Sequence, residues 1–168
     1  MTTSSNAAGG VLHFMCGRAG AGKSTLAHKI RSDRHAVLFC EDQWLLHLFD
    51  GAPTLEAYVE RRARIRKLLE EHVPPILAAG HSVVFDFGGN TIRDRSWVRS
   101  LFESVGAAHQ LHYLTASESV CRQRVAERNR TKPSGIYWGD VSNAQLDTVN
   151  KYFQPPVAAE RLVVIEYS

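Results

Sequence analysis

The nine residues GRAGAGKST at 17–25 constrain the fold more than any other stretch, and they directly follow the apolar run VLHFMC. Their spacing fits the pattern G-x-x-x-x-G-K-[ST], which Gly22, Lys23 and Ser24 complete. Glycines let backbone N–H groups turn inward around a phosphate, and a helix that begins there adds the positive end of its dipole. The pattern therefore predicts a strand, a phosphate-binding loop and a helix in succession.

A loop of this kind binds the phosphate groups of a nucleotide. Lys23 is expected to reach the β- and γ-phosphates, and Ser24 is expected to ligate Mg²⁺. The alternative is a chance match in a glycine-containing turn, and the strand before and the helix after the loop argue against it. The predicted nucleotide contacts in the loop are Gly17, Arg18, Ala19, Gly20, Ala21, Gly22, Lys23, Ser24 and Thr25.

Strand-like and helix-like segments alternate along the rest of the chain. Apolar runs predict strands at 11–16, 36–40, 82–87, 109–115 and 161–167. Helices are predicted from the loop to about Arg31, from about Thr54 to Ala79, from GGNT to near Gly106, over SESVCRQRVAERN from the cap Ser117, and near 142–152. Within the longest helix, Pro74 and Pro75 are expected to bend or restart it, and Gly80 is expected to close it.

Such alternation predicts an α/β fold with a mostly parallel five-stranded sheet that helices cover on both faces, as a three-layer α/β/α sandwich. The chain has 168 residues, of which 44% are hydrophobic, and this suits one domain at 11–168 after a flexible tail at 1–10. We find no apolar run of membrane-spanning length and no signal-peptide pattern, so we expect a cytoplasmic protein. A net charge of +3 suits anionic ligands but is too small to indicate nucleic acid.

Two acidic residues follow or end predicted strands on the edge that carries the phosphate loop. Asp42 could accept the proton of an attacking hydroxyl, or it could cap the helix QWLLHLF, and Glu41 could be mistaken for it. Asp86 could serve the outer shell of a metal or the acceptor, or it could cap the following turn. Because Phe87 follows Asp86, the Asp-Glu pair of motor ATPases is missing, which argues against a hydrolytic motor.

Arginines on the helix after the fourth strand form a second candidate group. Arg124 and Arg128 are four residues apart and share a face, from which they could stabilise γ-phosphate charge. The alternative is a solvated basic face that pairs with Glu118 and Glu127. The Pro- and Gly-containing stretch that follows predicts a short lid at about 122–141. The basic run RRARIRK is expected to form a solvated face or to attract an anionic acceptor.

With these residues in place, the chain resembles the small P-loop kinases, in particular the AAA-like "predicted kinase" group related to chloramphenicol phosphotransferase, zeta-toxin, gluconate kinase and polynucleotide kinase. The matching segments are CGRAGAGKSTLA, SVVFDFGGNTIRDR with Arg95 at the group's arginine, the lid-like RQRVAERN, and YFQPP, where Gln154 replaces the usual acid. The resemblance implies a nucleoside-kinase-like fold, ATP, Mg²⁺ and transfer of the γ-phosphate to a hydroxyl of a small molecule or a 5′ end.

The resemblance also supports Asp42 as general base, so the predicted catalytic residues are Lys23, Asp42 and Arg128. Arg124 and Arg128 are expected to bind the nucleotide, and Ser24 the metal. Asp42, Asp86 and Arg95 are expected to bind a small hydroxylated acceptor. The alternatives are a nucleotide-dependent switch, although the N-K-x-D motif of base recognition is missing, and a toxin-type or polynucleotide 5′-hydroxyl kinase. The sequence indicates neither the acceptor nor the oligomeric state, and nucleic acid stays an open acceptor class.

Overall fold

A five-stranded parallel sheet forms the centre of the molecule in a computed structural model, which describes residues 9–50, 54–135, 137 and 139–168. The strands are β1 (Val11–Cys16), β2 (Val37–Phe39), β3 (Val83–Gly88), β4 (Ala108–Leu114) and β5 (Val164–Tyr167), in the order β2-β3-β1-β4-β5. The helices are α1 (Lys23–Arg34), α2 (Glu41–Leu48), α3 (Leu55–Ala78), α4 (Ile92–Glu103), α5 (Glu118–Thr131) and α6 (Asn143–Lys151). All four strand pairings are parallel, so the predicted sheet is confirmed.

Successive residues of the central strands point into two different layers. Phe14 of β1 and Phe85 of β3 pack in one cluster with side chains of α3 and α4, whereas Met15 and Val84 pack against α1. All four side chains are fully buried. Strands buried on both faces explain the continuous apolar runs in the sequence, and the three-layer sandwich is confirmed.

Helix α3 continues through Pro74 and Pro75 to Ala78. The two prolines remove backbone N–H donors from this part of the helix. Val73 and Leu77, on either side of them, are at most 1% exposed, so packing in the core stabilises the helix there. The expected restart of the helix there is therefore wrong. Gly80 has φ 87 and follows the end of the helix, as predicted.

Other boundaries differ by a few residues from those read in the sequence. Helix α1 extends to Arg34, and β5 begins at Val164, three residues later than predicted and after a 3₁₀ turn at Ala158–Glu160. Ser117 caps α5, as predicted, by accepting a hydrogen bond from the backbone N of Val120. Most of the predicted tail at 1–10 lies outside the described residues. No described helix has the length and hydropathy needed to cross a membrane.

Candidate active site

The phosphate loop lies between β1 and α1, with its backbone held against α5. Gly20 and Gly22 have positive φ values of 85 and 103. A Cβ atom on Gly20 would lie 2.3 Å from the carbonyl oxygen of Cys121, so only glycine fits where the loop meets α5. This close approach fixes the curvature of the loop and fits a cradle for phosphate.

Lys23, the first residue of α1, lies inside this loop. Its Nζ donates hydrogen bonds to the carbonyl oxygens of Gly17, at 2.7 Å, and Arg18, at 2.9 Å. Burial lowers the pKa of Lys23, while the negative charges of Asp86 and Asp42 oppose that shift. The two carboxylates predicted from separate strand ends therefore both act on this ammonium group.

Asp86 lies within β3 and beside Ser24 of the loop. Burial raises the pKa of Asp86, against the opposing effects of the Ser24 hydroxyl and the Lys23 ammonium. Its Oδ1 is buried without a hydrogen-bond partner in the described part of the chain, and Cys40 Sγ donates to Oδ2 at 3.7 Å. Because Thr91 is the cap of α4, the alternative in which Asp86 caps the next turn is wrong.

An oxygen-rich pair at the phosphate loop suits a hard cation. Mg²⁺ binds through one or two protein oxygens and keeps its other positions for water and phosphate oxygens. The Ser24 hydroxyl and the unpartnered Asp86 Oδ1 fit that requirement. Among the described residues no group of three His, Cys, Asp or Glu side chains is placed to hold a metal ion. Phosphate oxygens and water would therefore supply the other ligands.

Asp42 is the second residue of α2 and its side chain is exposed at the cleft. The helix begins two residues earlier than predicted, with Cys40 as N-cap, so the alternative in which Asp42 caps this helix is wrong. Glu41 has a different environment: it is 5% exposed and accepts a hydrogen bond of 2.7 Å from Arg62 Nε. Glu41 therefore anchors α2 to α3, and Asp42 is the acid that faces the cleft.

On α5 the four arginines divide into two pairs. Arg122 and Arg130 take the partners Glu118 and Glu127, so the basic surface face exists but consists of these two. Arg124 and Arg128 face the cleft instead. Arg124 Nη1 donates to the carbonyl of Ala21 at 3.2 Å. Arg128 Nε is buried without a partner among the described residues, which leaves it ready to bind an anion.

These groups converge on one cleft of about 1310 Å³ above the carboxyl edge of the sheet. The predicted residues that line it are Ala19, Gly20, Gly22, Lys23, Ser24, Thr25, Asp42, Asp86, Arg124 and Arg128. Arg18 lies outside it, 5.2 Å from the ring centroid of Phe153, so the prediction that it contacts the nucleotide finds no support in the cleft. Residues from the predicted lid, including Pro133, Asp140 and Val141, also line the cleft.

Arg95 is not in the cleft, and its predicted role in acceptor binding is wrong. Its side chain is 1% exposed. Two of its nitrogens donate to the carboxylate of Glu160, at 2.6 and 2.7 Å, and its Nη1 donates to the carbonyls of Gly89 and Gln154, each at 2.7 Å. A guanidinium with these partners ties α4 to the segment before β5 and has no donor left for a ligand.

The basic run at 61–67 is largely consumed by ion pairs. Arg62 and Arg66 pair with Glu41 and Asp94 between α2, α3 and α4. Arg61 is the arginine of this run that lines the cleft, where its guanidinium lies 4.9 Å from the ring centroid of Phe49. Neither a solvated face nor an anion-attracting surface describes the run as a whole.

Sequence reasoning missed the apolar side of the cleft. The residues are Leu45, Leu46, Phe49 and Tyr58, at the end of α2 and in the first turns of α3. The only signal was the apolar helix QWLLHLF after Asp42, which resembles an ordinary buried helix. Which of its faces lines the cleft depends on how α2 packs on α3.

Solved structures share this fold over nearly the whole chain. Chaetomium thermophilum Kti12 in complex with ADP-AlF3 is 13% identical with a TM-score of 0.69, and the match covers 94% of this chain and 89% of that chain. The APS kinase CysC of Mycobacterium tuberculosis, in complex with AMPPNP and APS, is 16% identical with a TM-score of 0.60, over 94% and 88% of the chains. A gluconokinase from Sinorhizobium meliloti 1021 is 19% identical with a TM-score of 0.55, over 95% and 82%.

At such identities the likeness shows the fold alone, which the chain shares with Kti12, an APS kinase and a gluconokinase. No curated protein sequence matches the chain. The family model of the AAA domain matches residues 12–156, from the second residue of β1 to the end of the YFQPP segment. The match includes the phosphate loop, both cleft acids and the arginines of α5, and the chain therefore belongs to the AAA domain family.

Proposed function

We propose that this protein is an ATP-dependent kinase that transfers the γ-phosphate of ATP to a hydroxyl of a small-molecule acceptor. The observation that carries the proposal is the convergence of Lys23, Asp42 and Arg128 on one cleft, with Arg128 Nε buried there and unpartnered among the described residues. Phosphoryl transfer requires charge stabilisation and positioning more than covalent chemistry by the protein. This cleft supplies both cationic donors and an acid.

Each residue then has a distinct task. Lys23 and Arg128 stabilise the negative charge on the oxygens of the phosphoryl group as it moves from the β-phosphate oxygen to the acceptor oxygen. Asp42 accepts the proton that the acceptor hydroxyl loses as its oxygen bonds to phosphorus. Ser24 and Asp86 would hold Mg²⁺, which would neutralise phosphate charge when bound. Arg124 holds the nucleotide from α5.

The similar structures favour this activity in a general way. Two of them are small-molecule kinases by name, an APS kinase and a gluconokinase. The acceptors of those proteins differ from each other, so the fold does not select one for this chain. We also propose that the protein acts in the cytoplasm, where an enzyme that uses ATP finds its substrate.

A second candidate is a nucleotide-dependent switch that hydrolyses ATP and acts through a partner. The observation in its favour is the likeness to Kti12, whose structure holds ADP-AlF3. A toxin-type or polynucleotide 5′-hydroxyl kinase would use the same cleft chemistry and differ only in the acceptor.

The test is an ADP-release screen with the purified chain, ATP and Mg²⁺ against a library of hydroxylated metabolites, nucleosides and a 5′-hydroxyl oligonucleotide. The kinase predicts ADP release that depends on one class of acceptor and is lost in Lys23→Ala. ADP release at the same rate without any acceptor, also lost in Lys23→Ala, would favour the switch. Retained activity in Lys23→Ala would contradict the role of the phosphate loop in both.

A further inference from the structure

The side of the cleft next to Asp42 has an apolar surface. Leu45 and Leu46 of α2, Phe49 at its end and Tyr58 of α3 line this part of the cleft, and we call them the acceptor wall. Leu46 is 53% exposed although it lies at the mouth of a cleft. Exposed large apolar side chains inside a concave site are typical of a surface that a ligand covers.

Two polar side chains near the acceptor wall, Thr54 and Arg61, contact protein atoms. Thr54 Oγ1 accepts a hydrogen bond from the backbone N of Ala57, as the cap of α3. The Arg61 guanidinium lies over the Phe49 ring and donates to the carbonyl of Asp50 at 3.4 Å. Tyr58, whose pKa burial raises to about 12, keeps a phenolic hydroxyl that can donate or accept a hydrogen bond within the wall.

Polar side chains of α6 and of the predicted lid, which line the same cleft, also make hydrogen bonds within the protein. Thr148 Oγ1 donates to the carbonyl of Ala144 at 2.8 Å, and Gln145 Oε1 accepts from the backbone N of Ser142 at 2.8 Å in the capping box of α6. Asp140 Oδ1 accepts from the Tyr137 hydroxyl at 2.8 Å. These groups keep further lone pairs or N–H donors, so the apolar side chains of the acceptor wall, and not a shortage of polar groups, distinguish the part of the cleft next to Asp42.

We propose that the acceptor is an alcohol whose hydroxyl is carried on an aromatic or aliphatic body, and that the acceptor wall binds this body while the hydroxyl lies at Asp42. The inference rests on the proposed kinase activity and specifies its substrate class. A sugar or sugar acid would bring several hydroxyls against Leu45, Leu46 and Phe49. Each hydroxyl left unpaired there lowers the affinity for such an acceptor, whereas an apolar body gains from the same contact.

Two exposed leucines of α2 provide a matched pair of variants. Leu46 lines the cleft, whereas Leu48, on the same helix and 61% exposed, does not line it. Leu46→Asn and Leu48→Asn remove similar apolar side chains from surface positions, so both variants should fold. Only the first alters the acceptor wall.

The experiment measures ADP release and the phosphate ester by mass spectrometry, with 2-phenylethanol and 3-phenyl-1-propanol as apolar alcohols and glycerol, glucose and gluconate as polyols. We expect the two apolar alcohols to be phosphorylated and the polyols to be poor acceptors. We expect Leu46→Asn to raise KM for 3-phenyl-1-propanol about tenfold, as the loss of one apolar side-chain contact requires. KM for ATP should not change, and Leu48→Asn should behave like the wild type.

The outcomes separate this inference from the proposed function. Efficient transfer to glycerol, glucose or gluconate, with poor transfer to the phenyl alcohols, would overturn the inference and leave the kinase intact. Equal effects of Leu46→Asn and Leu48→Asn would also overturn it. If none of the five alcohols nor any compound of the wider library accepted phosphate, both the inference and the kinase would fail.

Discussion

At the scale of single residues, neighbours in sequence have unrelated tasks. Glu41 is buried in an ion pair with Arg62, whereas Asp42 is exposed at the cleft. The difference follows from the helical geometry of α2, because consecutive residues lie about 100° apart around a helix. Glu41 thereby fixes the position of the helix that presents Asp42.

Asp42→Asn is predicted to keep ATP binding and to lose transfer. Asn has the size of Asp but cannot take a proton, and removal of a general base typically costs roughly 10²–10⁴-fold in turnover. Steady-state kinetics with an identified acceptor and titration calorimetry with ATP measure the two effects. Glu41→Gln is the comparison. Because it weakens a buried ion pair, it should lower the melting temperature while turnover stays close to that of the wild type. Normal turnover in Asp42→Asn would contradict the assignment.

Arg95→Ala is predicted to destabilise the fold by about 3–5 kcal/mol, because it leaves the carboxylate of Glu160 without its partner in a poorly solvated position. Arg93→Ala, at an exposed position of the same helix, should change the free energy of unfolding by less than about 0.5 kcal/mol. Urea unfolding of both variants measures the difference. Similar midpoints for the two would show that the Glu160 contact contributes little.

At the scale of elements, features that depend on local sequence could be predicted, whereas contacts between distant segments could not. The phosphate loop could be read from nine residues because its function depends on local backbone turns and on the helix that follows. Arg95 was misassigned because its partners, Gln154 and Glu160, lie about 60 positions further along the chain. The acceptor wall was missed for a similar reason, since it depends on how α2 and α3 pack.

The segment after α5 is predicted to close over bound nucleotide. Asn129 already ties its base together: Nδ2 donates to the carbonyl of Val141 at 2.9 Å, and Oδ1 accepts from the N of Val141 at 3.2 Å. Chymotrypsin cleavage at Tyr137 should therefore slow when a non-hydrolysable ATP analogue and Mg²⁺ are added. Cleavage between Arg130 and Asp140 that does not respond to the analogue would count against a lid.

At the scale of the whole molecule, the neighbouring strands β1 and β4 are joined by buried histidines. His13 Nδ1 of β1 lies 3.0 Å from His112 Nε2 of β4, and His112 Nδ1 lies 2.9 Å from the hydroxyl of Tyr167 in β5. Burial lowers the pKa of each histidine to about 4, with further lowering of the His13 pKa by Arg34 and of the His112 pKa by His13. The sheet therefore holds both imidazoles neutral.

This arrangement predicts that the fold weakens in mild acid. The folded-state pKa values of both histidines lie below the unfolded value of 6.5. Their contribution to the free energy of unfolding is therefore complete above pH 6.5 and is lost as the pH falls toward 4. Each histidine can contribute at most about 3 kcal/mol. Urea unfolding between pH 7.5 and 5 measures this loss. The free energy of unfolding should fall more steeply with pH in the wild type, and in the control His81→Asn at an exposed position, than in His112→Asn. Equal slopes in all three would contradict the role of the pair.

The central claim is that the cleft transfers phosphate to an alcohol rather than to water. The most direct measurement follows the label of γ-³²P ATP into either a phosphate ester or inorganic phosphate, with wild type, Asp42→Asn and Lys23→Ala and an acceptor from the alcohol panel. The kinase predicts that most of the label enters the ester in the wild type, that Asp42→Asn forms little of it, and that Lys23→Ala forms none. Label released only as inorganic phosphate, at a rate independent of any alcohol and unchanged in Asp42→Asn, would contradict it.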